Sequence, residues 1–411
     1  MNNTKIPDST FSKYQIFIIA ILAILQFTLI LDFMVLSPLG AILLKELSIK
    51  PAQFGLVVSA YAFSAGASGL LAAGFADRFD RKKLLLFFYV GFIFGTILCA
   101  LATTYEFLLI ARIVTGIFGG VIGSISFAII SDLFRLEQRG RVMGFVQMAF
   151  SASQILGLPI GLLLANEFGW HSPFWMIAAF SIFVGIAIVV YMKPVTEHLK
   201  YKTDRNPFQH LWKTISYPHY LKAFIATILL ATGGFMLMPF GSAFSINNLK
   251  ISLQDLPILY GATGVFSIIF GPLSGKLSDK IGKYKVFVVG SIITIIMALI
   301  YTNLSVTPLW LVIVINVIMF AGITARMISA SALMTAIPKL QDRGAFMSIN
   351  SSIQQISGGA AAALAGVIVS QASDGTMQNY PLLGGVVAAS MLITIGMIFV
   401  LNKQIQKNIS K

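Results

Sequence analysis

Asp32 is the residue in this chain best placed to do chemistry, because it carries a charge where almost nothing else does. The apolar stretch from Ile16 to Leu44 holds no other charged side chain, and of the 15 Asp and Glu residues Asp32 alone falls well inside such a stretch. Glu106 sits at the edge of one, and the rest fall in polar connections. A carboxylate near the middle of a membrane helix costs ~2.5–3.5 kcal/mol on insertion scales, so it usually faces a wet cavity and has a task. The plainer alternative is a structural carboxylate neutralised by a partner. Of the 29 Lys and Arg residues, only Arg112 and Arg326 lie deep in apolar runs. An acid able to take up and release a proton, with an arginine to oppose it, points to proton-coupled movement rather than bond chemistry. Opposite charge favours the ionised carboxylate, desolvation favours the neutral acid, and a cavity that opens and dries changes the balance.

The elements that must position these residues follow from the composition. The chain is 57% hydrophobic and 11% charged, against ~25% charged for soluble domains. Apolar runs of about 18 residues or more recur at roughly 16–44, 54–75, 84–104, 107–131, 142–165, 173–192, 221–246, 257–275, 286–303, 309–333, 345–371 and 381–401. Runs of this length are helices, since barrel strands alternate apolar with polar over ~10 residues. The expected fold class is an all-α membrane protein of twelve transmembrane helices in two pseudo-symmetric six-helix bundles. Its parts are an N-terminal bundle over 1–192, a cytoplasmic linker over 193–220 and a C-terminal bundle over 221–411. The first run is about twice the length of a signal-peptide core and reads as a retained helix.

The net charge of +14 might suggest nucleic acid, but its distribution excludes that partner. With the N-terminus inside, 24 basic residues fall on the inner side and only Lys45, Lys50 and Lys250 outside. Short cytoplasmic loops collect Lys and Arg in this way. Both termini are therefore expected in the cytoplasm, the protein in the inner or plasma membrane as a multi-pass chain, and its partners are the bilayer and a small-molecule substrate. A monomer is expected. Cys99 is the single cysteine, so no internal disulfide is possible. His171, His198, His210 and His219 lack metal-ligand spacing, and no nucleophile motif or Walker A loop occurs. No enzyme activity, metal or cofactor is expected; the proton is the coupling ion.

Depth along the helices can be estimated at ~1.5 Å per residue. Helix one runs outward, with Asp32 about 12 Å before an outer end near Gly40, and helix four runs inward, with Arg112 about 8 Å below the outer face. A direct or water-bridged Asp32–Arg112 interaction is expected. Arg326 lies about 26 Å from the outer end of its helix by the same rise. Two readings stand for it: snorkelling to the inner interface or binding helix-end carbonyls, and a gating or substrate role.

The chain repeats itself at an offset of about half its length. Asp77-Arg78 matches Asp279-Lys280, Arg139-Gly140 matches Arg343-Gly344, and Asp32-Phe33-Met34 matches Gly234-Phe235-Met236. Pro38 and Pro239 fall one residue out of register. Two halves of the same orientation follow, related by an axis along the membrane normal. The charge at Asp32 has a glycine as its repeat counterpart, so the proton site belongs to the first half alone.

Here the chain resembles the major facilitator superfamily over essentially its whole length. The most specific mark is the loop pattern G-x-L-[AS]-D-[RK]-x-G-[RK]. Gly275-Lys-Leu-Ser-Asp279-Lys280-Ile-Gly282-Lys283 fits it fully, while Ala73-Gly-Phe-Ala-Asp77-Arg78-Phe-Asp80-Arg81 keeps the charges and replaces both end glycines. Asp77, Arg78, Arg81, Asp279, Lys280 and Lys283 are expected to gate by pairing across helix ends. Arg112-Ile-Val-Thr-Gly116 resembles the R-x-x-x-G motif of helix four, which the family links to proton transfer. Gly157-Leu-Pro159-Ile-Gly161 is similar to a degenerate form of the Gly-Pro motif of antiporters. The set resembles the twelve-helix drug:proton antiporter branch, with a likeness to sugar- and nucleoside-efflux members, and this implies proton-coupled efflux by alternating access.

Polar residues within the runs mark the candidate substrate cavity: Gln26, Tyr61, Gln147, Gln154, Asn316, Asn350, Gln354 and Gln355, with Met236 beside the bendable Gly233-Gly234 stretch. Interhelical hydrogen bonds worth ~0.6 kcal/mol each are the alternative use of such groups. The alternatives to efflux are a proton-coupled importer of the same fold and a transport-inactive receptor or scaffold. The single acid points to neutral or cationic compounds.

Overall fold

The computed structural model describes residues 11–72, 75–200, 207–338 and 342–409. In hydrocarbon every backbone amide and carbonyl must be satisfied within the protein, and the apolar runs accordingly fold as helices. Helix one is Lys13–Val35, helix two Pro51–Ala72, helix three Arg81–Leu101 and helix four Tyr105–Leu133. Helix five runs from Leu136 to Phe168 through a π turn at Ser153–Gly157, and helix six is Ser172–Tyr191. In the second half, helix seven is Pro218–Phe235, helix eight Leu256–Ile281 and helix nine Lys283–Thr302. Helix ten is Leu309–Thr335, helix eleven Arg343–Ile368 and helix twelve Tyr380–Ile409. Ten of these passages are long and apolar enough to cross a membrane by length and composition. The other two are helix five, interrupted by its π turn, and helix eleven, whose apolarity is diluted by Asn350, Ser351, Ser352, Gln354 and Gln355.

Local chemistry sets several starts. Ser12 accepts from the Gln15 amide at 3.2 Å while the Gln15 side chain accepts from the Ser12 amide at 3.0 Å, a reciprocal cap on helix one. Asp80 caps helix three by accepting from the Lys82 amide at 2.9 Å. At the start of helix nine the cap position is Gly282, which has no side chain to accept and whose φ of 104° favours glycine. The first-half motif can therefore dispense with its end glycine, because an aspartate there caps the helix instead.

The expected first span over 16–44 is broken. Helix one stops at Val35, the chain turns through Leu36–Leu39, and a short helix Gly40–Glu46 follows. Helix seven breaks in the same way, through a 3-10 turn at Met238–Phe240 into the short helix Gly241–Asn247. Pro38 and Pro239 each lack the amide a continuous helix needs, while the apolar run continues through them, so hydropathy does not reveal the break. The 193–220 connection contains a 3-10 turn at Glu197–Lys200 and a helix at Pro207–Ile215.

One face of the molecule gathers both ends of the chain's first half. The Lys193 amide donates to the Tyr14 hydroxyl at 3.0 Å and the Arg81 amide to the Val195 carbonyl at 3.2 Å. On this terminal face the Tyr220 hydroxyl also donates to Asp342 at 2.9 Å. On the far face His171 meets the Ala102 carbonyl at 2.8 Å and Asn248 donates to the Met377 carbonyl at 2.9 Å.

The two halves close on each other at the far face. The Ser37 hydroxyl donates to the Met238 carbonyl, and Ser242 donates to the Ser37 carbonyl at 3.1 Å, so the broken helices one and seven are latched at their breaks. Asn166 donates to the Leu253 carbonyl at 3.0 Å and Ser59 to the Gly359 carbonyl at 2.7 Å. Helices two and eleven run backbone to backbone: a Cβ on Gly55 would stand 2.9 Å from the Ala362 carbonyl oxygen, and one on Gly366 2.9 Å from that of Pro51. Helices five and eight touch at Ile155 and Gly264, where a Cβ would stand 2.8 Å from the Ile155 Cα. Nearer the terminal face, a Cβ on Gly144, Gly271 or Gly275 would meet nothing within 4 Å.

Candidate functional site

Asp32 and Arg112 meet inside the first half. Arg112 Nη1 donates to Asp32 Oδ2 at 2.7 Å and to the Asp32 carbonyl at 3.2 Å, and both side chains are 0% exposed. Asp32 Oδ1 lies 3.2 Å from the Thr96 hydroxyl of helix three, which can donate instead to the Phe92 carbonyl at 3.0 Å. The carboxylate was expected to face a wet cavity, and here it is sealed among helices one, three and four. Burial of this kind needs a charge-assisted hydrogen bond to be tolerable. Arg112 Nε and Nη2 have no hydrogen-bond partner among the described residues.

The glycines around Arg112 explain how it is held. A Cβ on Gly116 would stand 2.5 Å from the Tyr61 carbonyl oxygen, and one on Gly120 2.1 Å from that of Ala65. Helix four can lie flush on helix two only because both positions lack a side chain. That approach sets the Tyr61 ring over the guanidinium, with the Arg112 Cζ 4.5 Å from the ring centroid. Tyr61 is thus a lid on the arginine, buried at 3% exposure, rather than part of a cavity wall. Gly157 and Gly161 play the same spatial part between helices five and one. A Cβ on Gly157 would stand 2.4 Å from Leu31 Cδ1, and one on Gly161 3.0 Å from Val35 Cγ2. Pro159 opens the segment after the π turn, where its missing amide is harmless, and its ring lies 3.5 Å from the place of a Gly261 Cβ.

Several cavity candidates turn out to be packing. Asn316 is buried and its amide bonds the Val312 carbonyl of its own helix at 2.9 Å. Met236 is buried in the core beyond the end of helix seven. Asn350 accepts from Thr227 at 2.5 Å, tying helix eleven to helix seven. Gln26, Gln154, Gln354 and Gln355 stay half-buried and keep their candidacy. The side chain of Gln147 lies outside the described residues. Clefts of about 450 and 490 Å³ open on the far face, lined by loop residues around Lys250 and Lys50 rather than by these glutamines.

The gating residues divide between the halves. Arg81 is buried, donates to Asp132 Oδ2 at 3.0 Å and to the Ala76 carbonyl at 2.9 Å, and so clamps helix three to the end of helix four. Asp132 was not singled out in the sequence because it ends an apolar run like any loop acid. Asp80, likewise passed over, also accepts from the Val195 amide at 3.0 Å. The side chain of Asp77 lies outside the described residues, and Arg78 is exposed. In the second half Asp279 is 77% exposed and meets Lys283 only at 3.8 Å, with Lys280 exposed beside it.

Arg326 does not snorkel and caps no helix end. It is 0% exposed, its Cζ lies 5.9 Å from the Phe287 ring centroid, and none of its three guanidinium nitrogens has a hydrogen-bond partner among the described residues. Rise along a helix gives depth but not direction around the axis, which is why the sequence left two readings open for Arg326.

The family model described as Major Facilitator Superfamily matches residues 22–325 and 223–410. Multidrug resistance protein 3 of Bacillus subtilis (strain 168) is 34% identical over 155 residues, covering 37% of this chain and 30% of that protein. A probable sugar efflux transporter of Mannheimia succiniciproducens is 26% identical over 223 residues, covering 53% of this chain and 55% of that one. These alignments span about a third to a half of the relatives' lengths. Among solved structures, a bacterial homolog of the human lysosomal transporter Spinster, in an inward-facing and unoccupied conformation, superposes with a TM-score of 0.70. That match is 18% identical and covers 95% of this chain and 96% of the other, a likeness of fold.

Proposed function

This chain belongs to the major facilitator superfamily, and we propose that within it the protein is a secondary transporter that exports a small molecule in exchange for protons. The observation that carries the proposal is the sealed Asp32–Arg112 pair, 2.7 Å apart and five residues upstream of the Ser37 latch that closes the far face. Efflux as the direction is supported by the name of the sugar efflux relative and by the segment Gly157–Gly161 packed against helix one beside Asp32.

With the termini in the cytoplasm, the far face is the outside and the conformation is one closed to the outside. A proton arriving on Asp32 cancels the charge that Arg112 Nη1 answers, and the tie between helices one and four weakens. Helix one is then free to shift at its break, where Ser37 holds Met238 and Ser242. Taken up from the outside in the outward-open state, the proton lets helix one re-form that latch and close the far face; proton loss to the cytoplasm restores the Asp32–Arg112 pair, and the substrate-loaded chain then opens outward. The proton thus acts as a ligand with different affinity for the two states, which is the requirement for driving an equilibrium between them. The remaining polar side chains at half-buried positions, Gln26, Gln154, Gln354 and Gln355, are the proposed substrate contacts. Arg81 with Asp132 is proposed to steady the opposite, terminal face.

Proteoliposomes holding the purified chain test this reading. A panel of small organic compounds is presented with and without an imposed pH gradient, from each side. Gradient-dependent movement of one or more compounds opposite to the proton flow is the expected outcome. Movement with the proton flow would replace export by import, and movement indifferent to the gradient would remove the coupling.

A further inference from the structure

Arg326 is an arginine buried inside the second half with no counter-charge or hydrogen-bond partner for its guanidinium among the described residues. Its Nε, Nη1 and Nη2 are buried without hydrogen-bond partners among the described residues, and so are the hydroxyls of Ser329, one turn along the same helix, and of Ser291 on helix nine. Ser291 adjoins Gly290, where a Cβ would stand 3.0 Å from the Arg326 backbone nitrogen, so helix nine packs closely on helix ten at the arginine. The carboxylates of this half, Asp255, Asp279, Asp342 and Asp374, lie at helix ends or in loops. A buried charge is normally paired, and a buried donor left unpaired is costly.

The first half shows how a buried arginine is answered. In the first half, helix four carries Arg112 and helix one carries the Asp32 that it grips. In the second half, helix ten carries Arg326 about ten residues beyond the position that aligns with Arg112, and the residue that aligns with Asp32 on helix seven is Gly234. The neighbouring Gly233 lies against the guanidinium, since a Cβ there would stand 3.7 Å from Arg326 Nη1. A Cβ on Gly234, half-buried on the next position of the helix, would meet nothing within 4 Å, so a side chain there has room. Helix seven ends at Phe235, whose ring lies 6.0 Å from that of Phe33 across the two halves, which brings this stretch to the seam where a solute is handled.

We propose that Arg326 binds the anionic group of the transported molecule, so that the substrate is a small organic monoanion, of which an aromatic monocarboxylate is the type. The inference rests on the export reading above. It revises the expectation of neutral or cationic compounds, because the Asp32 charge is already cancelled by Arg112 and that of Arg326 is not. A carboxylate entering beside Gly233 gives Arg326 the counter-charge that it lacks among the described residues. A planar guanidinium suits a carboxylate because it can give two parallel N–H bonds. Chloride offers the same charge without that geometry.

The test uses the purified full chain in detergent with sulfate as the only buffer anion, and reads affinity from ligand-dependent thermal stabilisation. Benzoate, salicylate and phenylacetate are compared with benzamide, salicylamide and phenylacetamide, and sodium chloride is a separate arm. For at least one pair, the carboxylate should bind about tenfold or more tightly than its amide, the scale of one hydrogen bond to a charged group. That preference should vanish in Arg326→Gln and in Gly234→Asp, which supplies the counter-charge internally, and should persist in part in Arg326→Lys. Amide binding should stay level across the variants. Stabilisation by chloride alone, lost in Arg326→Gln, would keep the anion site and assign it to an inorganic ion. Absence of any carboxylate preference, or its survival in both Arg326→Gln and Gly234→Asp, overturns the proposal. A protein that binds carboxylates through Arg326 yet moves none of them in proteoliposomes would sink the export reading instead.

Discussion

Removing Arg112 should damage the protein far more when Asp32 is present than when it is absent. The two side chains are 2.7 Å apart and both 0% exposed, so each stabilises a charge that has no access to water. Taking away one partner of such a pair costs about 3–5 kcal/mol, because the other charge stays buried and unanswered. Arg112→Ala leaves Asp32 with Thr96 alone and also removes the cation from the Tyr61 ring. Asp32→Asn keeps the shape but leaves Arg112 Nη1 facing a neutral oxygen, a loss of about 1.5–3 kcal/mol for a charge-assisted bond. Independent effects would sum to about 5–8 kcal/mol. Because the double variant contains neither orphaned charge, it should be little worse than Arg112→Ala, with a coupling of about 1.5–3 kcal/mol. Equilibrium unfolding of the four proteins in mixed micelles, read by tryptophan fluorescence, measures this. Additivity within about 0.5 kcal/mol would refute the idea that the pair acts as a unit.

Arg81→Ala and Asp132→Asn should slow the exchange between conformations more than they weaken substrate binding, since the clamp joins helices three and four at the terminal face; normal turnover with much poorer affinity would contradict this. Lys283→Ala should change stability by less than about 0.5 kcal/mol, because its pair with Asp279 is exposed and 3.8 Å long. Gly282→Ala should lower the unfolding midpoint by the equivalent of about 1 kcal/mol or more, as its φ of 104° admits no side chain without strain. Gly55→Leu should oppose closure of the far face by pushing on the Ala362 carbonyl, 2.9 Å from where its Cβ would sit; cysteines placed along helix eleven should then label faster from that face.

The twelve passages were legible because a bilayer demands long apolar runs, and the repeat was legible because Asp77-Arg78 and Asp279-Lys280 mark equivalent loops. The meeting of Asp32 and Arg112 followed from helical rise, which places both at one depth. What was hidden is the direction in which a side chain points around its helix. Arg326, Met236 and Asn316 look alike with or without burial in a sequence, and each proves to be inside. The break after Val35 was hidden because the apolar run continues across Pro38, whereas Gly233, Gly234 and Pro239 already marked helix seven as bendable. The seam of Gly55, Gly66, Gly359 and Gly366 was hidden for another reason. Small residues announce a close approach, but not which of eleven other helices approaches. Thr96 and Asp132, which complete the two charged clusters of the first half, are ordinary residue types whose roles exist only in three dimensions.

The proposed role of Asp32 has one decisive measurement. Proteoliposomes carrying a pH-sensitive dye inside report proton movement when a transported compound is added outside, with and without an imposed gradient. Wild type should move protons on compound addition and accumulate compound against its own gradient. Asp32→Asn, shown to be folded by an unchanged elution profile and to exchange compound across equal concentrations, should move no protons and accumulate nothing. Full gradient-driven accumulation by Asp32→Asn would contradict the assignment of the coupling proton to that carboxylate.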